Sequence, residues 1–280
     1  MSRALRISRG AFGRVALLDM DRSLVRHAHP HCHVLLKMEG DDTQFAVGER
    51  IAPLTDRLAV LINAWETHAY VHDPSRRNAL ILALYIEPQW LRLFRANWIA
   101  SGSPGFFDTP TGFVDDRIRR LSRDLVTEML AESLPSAAKE TLLSELMIAV
   151  ISRFTPWRQP IQEFLDRERR SPPDRRIRKA IALMRTDPAA SPSIEVLARH
   201  AGLSRAHFFR LFEQATSITP HVFLNVLKVE RAVNAVAATE GSLAAIGDAL
   251  GFQSPAQFSR FFRDHVSVSP REFRTVLQAA

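Results

Sequence analysis

"SIEVLARHAGLSRAHFFRLFEQATSITP", residues 193–220, and "SLAAIGDALGFQSPAQFSRFFRDHVSVSP", residues 242–270, are two versions of one pattern. With one residue inserted after the glycine they superpose. Leu197 meets Ile246, Gly202 meets Gly251, Leu203 meets Phe252 and Ser204 meets Ser254; Phe208 meets Phe258, Arg210 meets Arg260, Phe212 meets Phe262 and Pro220 meets Pro270. An internal repeat is read before any local signal, because it sets the architecture. In each copy an amphipathic segment ends at a glycine, the residue best suited to positive φ at a helix C-terminus. An apolar residue plugs the turn. A serine then caps the free N–H groups of a second helix, and Pro255 stands at the first helical position, which favours proline. Phe208, Leu211 and Phe212, with Phe258, Phe261 and Phe262, are expected to point inward. This is helix-turn-helix grammar, written twice and joined by the helical stretch "PHVFLNVLKVERAVNAVAA" (220–238).

Charge agrees with a polyanion partner for this region. Residues 171–280 carry 14 Lys and Arg against 9 Asp and Glu, while the first 170 carry 23 against 21. The basic excess therefore sits in the repeat-bearing part, which suits nucleic acid but also suits an ordinary solvated surface. Hydrophobic residues make up 46% of the 280, enough for ordinary packed cores, and the length suits two domains. The single cysteine, Cys32, excludes a disulfide within the chain and fits a reducing cytosol. "MSRALRISRGAFGRVALLDM" lacks the apolar run and cleavage site of a signal peptide, and no run of about 18 apolar residues marks a membrane span. A cytoplasmic protein is the expectation.

Upstream of the repeat the period changes twice. From about residue 13 to 110, short apolar runs such as "HVLLKM", "LAVLINAW" and "NALILALYIEP" are separated by turn residues, a pattern for a β-sandwich or barrel. From about 113, Val114, Ile118, Leu121, Leu125 and Met129 form one helical stripe, and "AAKETLLSELMIAVISRF" makes a second helix ending near Pro156. These helices either close the first domain or pair across a two-fold axis. "RERRSPPDRR" reads as a stiff polar linker. The expected fold class is α+β: residues 1–110 as an effector-binding β-domain, 111–170 as helical connector and linker, and 171–280 as an all-α domain with two helix-turn-helix units.

The motifs "IGDALGFQSPAQFSRFFRDHVSVSPREFR" (246–274), "LARHAGLSRAHFFRLF" (197–212) and "KVERA" (228–232) resemble the DNA-binding domain of AraC-type transcriptional regulators. The likeness covers about residues 174–277. Two departures stand out. Ser217 and Ser267 occupy places where the family usually has glycine, at a modest penalty if positive φ is needed. Gly247 replaces a usual alanine and should loosen its helix slightly.

The resemblance implies that the second helix of each unit enters a major groove, the two about one turn (~34 Å) apart. The candidate DNA-contacting residues are Ser204, Arg205, Ala206, Phe209 and Arg210 in the first copy. In the second they are Gln253, Ser254, Ala256, Gln257 and Arg260. Arginine reads guanine and glutamine reads adenine through paired hydrogen bonds. The competing reading for Arg210 and Arg260 is pairing with Glu213 and Asp264. His207 fits packing or capping, and Phe209 either touches a thymine methyl or is partly buried.

The other pattern is "LVRHAHPHCHVLL" (24–36), with histidines at every second position. His27-Ala28-His29, three residues, His33, six residues and Gly40 match the first motif of the cupin barrels, with His33 in place of the glutamate. A second, eroded motif puts Asn63 for proline, Trp65 for glycine and His68 at the histidine position. The region about 15–90 thus resembles the cupin-like sensor domain often fused ahead of AraC-type readers. That resemblance implies an effector pocket formed by His27, His29, His33, Trp65 and His68, Trp65 being pocket wall or core. The histidines are polar lining or four ligands, His27, His29, His33 and His68, of a divalent metal such as Zn, Fe, Cu or Ni. His31 matches no motif position, His72 receives no role, and Cys32 on the opposite face reads as core.

The expected function is sequence-specific DNA binding in transcription regulation, controlled by a small-molecule effector bound in the N-terminal barrel and involving RNA polymerase, an activator role and a homodimer. Two alternatives stay open: a metal-dependent cupin enzyme with an appended helical domain, and a constitutive DNA binder whose barrel only dimerises.

Overall fold

A computed structural model describes residues 2–131, 136–155, 174–238 and 241–278. The chain divides into two compact units, residues 1–159 with 272–280, and residues 160–271.

The first unit is rich in sheet. Its strands are β1 (Arg3–Gly10), β2 (Gly13–Met20), β3 (Cys32–Gly40), β4 (Thr43–Val47), β5 (Arg50–Leu54), β6 (Leu58–Ile62), β7 (His68–Val71), β8 (Ala79–Ile86) and β9 (Thr111–Phe113). Six form one sheet in the order β1-β2-β8-β3-β6-β9, and three form another in the order β5-β4-β7. All pairings are antiparallel. A short α1 (Pro88–Leu91) and a 3-10 turn (Ala96–Gly102) precede α2 (Asp116–Ala131) and α3 (Ser136–Phe154).

Period-two alternation gives the large sheet two faces. Val15 and Leu17 of β2, Cys32, Val34 and Leu36 of β3, Ala59 and Leu61 of β6, and Leu82, Leu84 and Ile86 of β8 share one core with Ile118, Leu121, Leu125 and Met129 of α2 and Leu146, Met147 and Val150 of α3. Burying each of the Val, Leu, Ile and Met side chains among these contributes roughly 1.5–3 kcal/mol before entropy is counted. The helical stripe is therefore consumed by this chain's own sheet, so it is not a free face for pairing two copies. Val114 lies just outside α2, its N–H donating to the Arg57 carbonyl at 2.9 Å. The opposite face of the sheet carries His33 and Tyr85.

Sheet structure begins earlier than the apolar pattern indicates. Strand β1, "RALRISRG", carries three arginines and pairs with β2 from Arg3↔Asp19 to Gly10↔Gly13. Its arginines fall at partly solvated edge positions, and only Ala4 and Ile7 are buried. The polar linker "RERRSPPDRR" lies outside the described residues up to 173; Asp174, Arg175 and Arg176 already cap and start a helix.

The second unit is helical: α4 (Arg175–Thr186), α5 (Ile194–His200), α6 (Arg205–Thr216), α7 (Pro220–Ala238), α8 (Leu243–Ala249) and α9 (Pro255–Val266), with α10 (Pro270–Gln278) beginning at its end. The two copies repeat the same serine caps and glycine turns. Ser193, Ser204, Ser242 and Ser254 each accept from the N–H three residues on, at 3.0 to 3.3 Å. Gly202 and Gly251 take φ of +63° and +76° at the two turns, the left-handed region that glycine enters without strain. Phe208, Phe212, Phe258 and Phe262 have no exposed surface. Leu211 and Phe261 remain half-buried at the edge of that core. Ser217 and Ser267 close α6 and α9 at φ +63° and +74°, so both serines do sit where glycine would be easier. Gly247 proves to be a packing feature, since a Cβ there would stand 3.1 Å from Phe258 Cβ. Arg231 joins α7 to the end of α4, donating to Asp187 Oδ1 at 2.9 Å and the Thr186 carbonyl at 2.7 Å.

Candidate functional sites: a paired helix-turn-helix face and a buried histidine cluster

The first candidate site lies on α6 and α9. Arg205, Ala206 and Arg210 are exposed on α6, as are Ala256, Gln257 and Arg260 on α9 and Gln253 in the turn before it. Arg210 and Arg260 form no ion pair among the described residues, so the alternative pairing with Glu213 and Asp264 is not made. Arg205 differs: its Nε lies 3.4 Å from Glu195 Oε1, and its guanidinium sits 5.4 Å from the Phe209 ring. That pair is solvent-exposed, and such pairs contribute about 0–1 kcal/mol, which a phosphate displaces readily. Phe209 is half-buried against His221, at 5.7 Å between rings. Ser204 and Ser254 are spent on their caps. Gln257 also has a structural task that the sequence reading did not assign. Its Oε1 accepts the Gln253 N–H at 3.0 Å while its own N–H is held by Ser254 Oγ at 3.2 Å. The Ser-x-x-Gln spacing of a capping box was the available signal. Gln257 is otherwise exposed.

The second candidate site lies between the two sheets of the first unit. The ring of His27 is 4.9 Å from that of His29 and 4.4 Å from that of His68, and His29 and His68 are 5.3 Å apart. His33 of β3 packs 5.2 Å from His29 and 4.6 Å from His68. All four are buried. Residues 24–27 reach β7 through paired bonds between His27 and His68, at 2.8 and 2.9 Å, which carries His27 to this place.

Hydrogen bonds decide the tautomers. His27 Nδ1 lies 2.7 Å from the Val25 carbonyl and His68 Nδ1 lies 2.9 Å from the Glu66 carbonyl. A carbonyl only accepts, so both Nδ1 atoms carry the hydrogen and each Nε2 is the acceptor nitrogen of its ring. His29 Nε2 is buried without a hydrogen-bond partner, as is His33 Nδ1. Burial, and then the neighbouring imidazoles, push His29 and His33 well below the ordinary histidine range. Burial lowers His68 to about 4. Neutral, pre-oriented imidazoles are the form that binds a metal. Ligand atoms of His27, His29 and His68 all lie within 4.8 Å of one another. His33 lies outside this trio, with its ring 4.6 Å from that of His68.

The remaining sequence candidates fall outside the cluster. His31 turns to Glu87, Nε2 to Oε2 at 3.1 Å. Trp65 is partly exposed and adopts φ +64°, in the place where the second cupin motif has glycine; its N–H donates to the His29 carbonyl at 2.7 Å. Cys32 is fully buried in the helix-covered core, and burial pushes its thiol up to about 12. Missed by the sequence reading were Tyr85, whose ring meets His29 at 5.1 Å and His33 at 4.9 Å, and Arg14, stacked 3.9 Å over Tyr85. Only strand pairing reveals them: Arg14 registers with Tyr85, and Tyr85 with His33.

Comparisons with known proteins bear first on the helical unit. Residues 197–275 match the family model described as a helix-turn-helix domain. An HTH-type transcriptional regulator of Haemophilus influenzae is 32% identical over 101 residues, 36% of this chain and 34% of that protein. The HTH-type transcriptional activator RhaS of Escherichia fergusonii is 32% identical over 101 residues, 36% of each chain. The matched stretch thus spans about a third of these curated relatives. A crystal structure of unsaturated fatty acid-bound ToxT from Vibrio cholerae shares the fold over 98% of both chains, with a TM-score of 0.55 at 10% identity. Residues 197–275 are thus a helix-turn-helix domain, and the whole chain shares its fold with the Vibrio cholerae protein. No helix among the described residues is long and apolar enough to cross a membrane.

Proposed function

We propose that this protein is a sequence-specific DNA-binding transcription regulator whose affinity or placement on DNA is set by a small molecule bound in the N-terminal unit. The observation that carries the reading is the equivalent placement of Arg210 and Arg260, both exposed and without ion pairs among the described residues, on the second helices of two helix-turn-helix units. In this reading residues 171–280 are the reader, and Arg205, Arg210, Gln257 and Arg260 supply base or phosphate contacts. Ala206, Phe209, Gln253 and Ala256 shape the surface around them. Residues 1–110 are a cupin-like sensor barrel with His27, His29, His33, Trp65 and His68 at its effector site, and 111–170 are the connector. Two relatives are named as transcriptional regulators, and a protein of the same fold holds a fatty acid, which supports a ligand-controlled regulator. Control requires the effector to favour one of two arrangements of the protein. RNA polymerase contact, homodimer formation, activation of transcription and a cytoplasmic location belong to the same proposal.

The test is selection of bound duplexes from a random DNA pool, followed by affinity measurement at several salt concentrations. A regulator yields a consensus of two half-sites about 10 bp apart and an affinity that falls steeply with salt. Recovery of no preferred sequence, with no salt slope, sinks the reading. Effector control is separated from constitutive binding by whether a ligand of the N-terminal unit changes that affinity.

A further inference from the structure

We propose that the first unit holds a second ligand site, separate from the histidine group, that takes a small organic carboxylate with a compact apolar body. Arg119, Arg123 and Thr55 would meet its head, and Leu36, Met38 and Val114 its body.

The site is a cavity of about 210 Å3 where the first turns of α2 meet the far half of β3 and the turn after β5. It is smaller than the roughly 300–1,000 Å3 of pockets for drug-sized molecules, so it suits a small ligand. No histidine lines it.

Its polar lining is made mostly of donors. Arg119 and Arg123 stand one turn apart on α2 and both reach the cavity. Arg119 Nη2 donates to the Asp56 carbonyl, which anchors that side chain at the wall. Arg123 is exposed and has no ion pair among the described residues. Thr55 Oγ1 accepts the N–H groups of Arg57 and Leu58, both at 3.1 Å, so its hydroxyl hydrogen is left to donate. Only the Ser122 hydroxyl is spent, on the Ile118 carbonyl at 2.7 Å.

The one carboxylate in the wall is already engaged. Asp56 Oδ1 lies 3.2 Å from Lys37 Nζ, which also holds Asp42 Oδ1 at 2.6 Å and the Gly40 carbonyl at 3.0 Å. Burial works against a charge on Lys37, yet its hydrogen bonds to Asp42 and Asp56 hold the ammonium above the ordinary lysine range. Both carboxylates are thus committed to Lys37, and the two guanidinium groups have none among the described residues. Like charges one turn apart destabilise a helix, and an anion between them removes that repulsion. The planar fork of arginine matches a carboxylate through two parallel hydrogen bonds.

The remaining wall sets the class. Leu36, Met38 and Val114 present apolar surface. A carboxylate with an apolar body covers that surface while its head meets the arginines. Inorganic phosphate would satisfy the donors alone.

The experiment titrates the full-length protein, carbon-labelled at its methionine methyl groups for nuclear magnetic resonance, with cyclohexanecarboxylate. Met38 is one of six methionines, and its signal is identified by its loss in Met38→Leu. We expect that signal to move saturably. The neutral cyclohexanecarboxamide and inorganic phosphate should each bind about ten-fold more weakly or worse, the scale of one lost charge-assisted contact. Arg123→Gln and, separately, Arg119→Gln should weaken the carboxylate by about five-fold or more, and Arg123→Lys, which keeps the charge without the fork, by less. Circular dichroism confirms that the variants are folded, and the exposed Arg123 can be replaced without loss of packing. An unmoved Met38 signal overturns the proposal, as does an Arg123→Gln variant that binds like the parent. Amide binding as tight as the carboxylate overturns the charge assignment, and phosphate binding as tight overturns the apolar body.

Discussion

Arg210 and Arg260 hold the same position in their helices, six residues after the capping serines Ser204 and Ser254, and both extend into solvent without an ion pair among the described residues. Removing either should therefore leave the fold untouched. Arg210→Ala and Arg260→Ala should each weaken binding to the selected duplex by about 1–3 kcal/mol, with relaxed preference at one base pair if the contact is to a base. A phosphate contact would instead weaken all sequences alike and lower the salt slope by about one. Melting temperatures equal to the parent protein complete the expected result.

Gln257 holds the turn through its Oε1, and the residue is exposed. Gln257→Glu keeps an acceptor for the Gln253 N–H, so thermal stability should hold. The loss of the –NH2 donor, and the added negative charge beside DNA, should lower affinity by about ten-fold or more. Equal affinity in filter or anisotropy assays would confine Gln257 to capping.

Phe258 and Phe261 are three residues apart but differ in burial, the first having no exposed surface and the second being partly exposed. Phe258→Ala should cost about 3–5 kcal/mol, enough to unfold the second helix-turn-helix unit. Phe261→Ala should cost clearly less. Urea unfolding midpoints of the two variants give the comparison.

Ser217 offers the opposite sign. It sits at φ +63° on an exposed helix end. Ser217→Gly relieves the left-handed strain and should stabilise by about 1 kcal/mol, less the entropy that glycine adds to the unfolded chain. A lower urea midpoint would contradict the strain argument.

Asp174 caps α4, and hydrogen bonds from the Arg176 side chain and backbone, aided by its positive charge, lower its carboxyl from 3.8 to about 2. A folded value below the unfolded one means that the stabilisation is present above about pH 4 and drains away as pH falls toward 2. Asp174→Asn retains a cap but no titration. Melts of the two proteins should therefore diverge above pH 4 and converge near pH 2.

The helical part was legible because its rules are local: a cap, a turn glycine and an apolar period all fall within a dozen residues of one another. The exposed faces of α6 and α9 follow from the same period. What the sequence hid was long-range. Strand β2 pairs with β8 about 59 to 73 residues away, from Met20↔Ala79 to Gly13↔Ile86, and nothing near Arg14 announces Tyr85 as its neighbour. Strand β1 was obscured by its arginines. The histidine motif placed His27, His29, His33 and His68 together and set His31 apart, and the structure brings those four rings to one place. Gln257 looked like a free reader because a backward hydrogen bond leaves no trace in composition.

The paired units carry a further consequence for how such a protein changes over time. The buried phenylalanines, capping serines and exposed arginines are common to both copies, whereas Arg205 faces Pro255, His207 faces Gln257 and Phe209 faces Ser259 at equivalent helical positions. Much of the variation on these two helices falls on side chains that are not buried. Each half-site preference is then free to drift on its own, and an engineer could rewrite one half of the address while the other continues to be read.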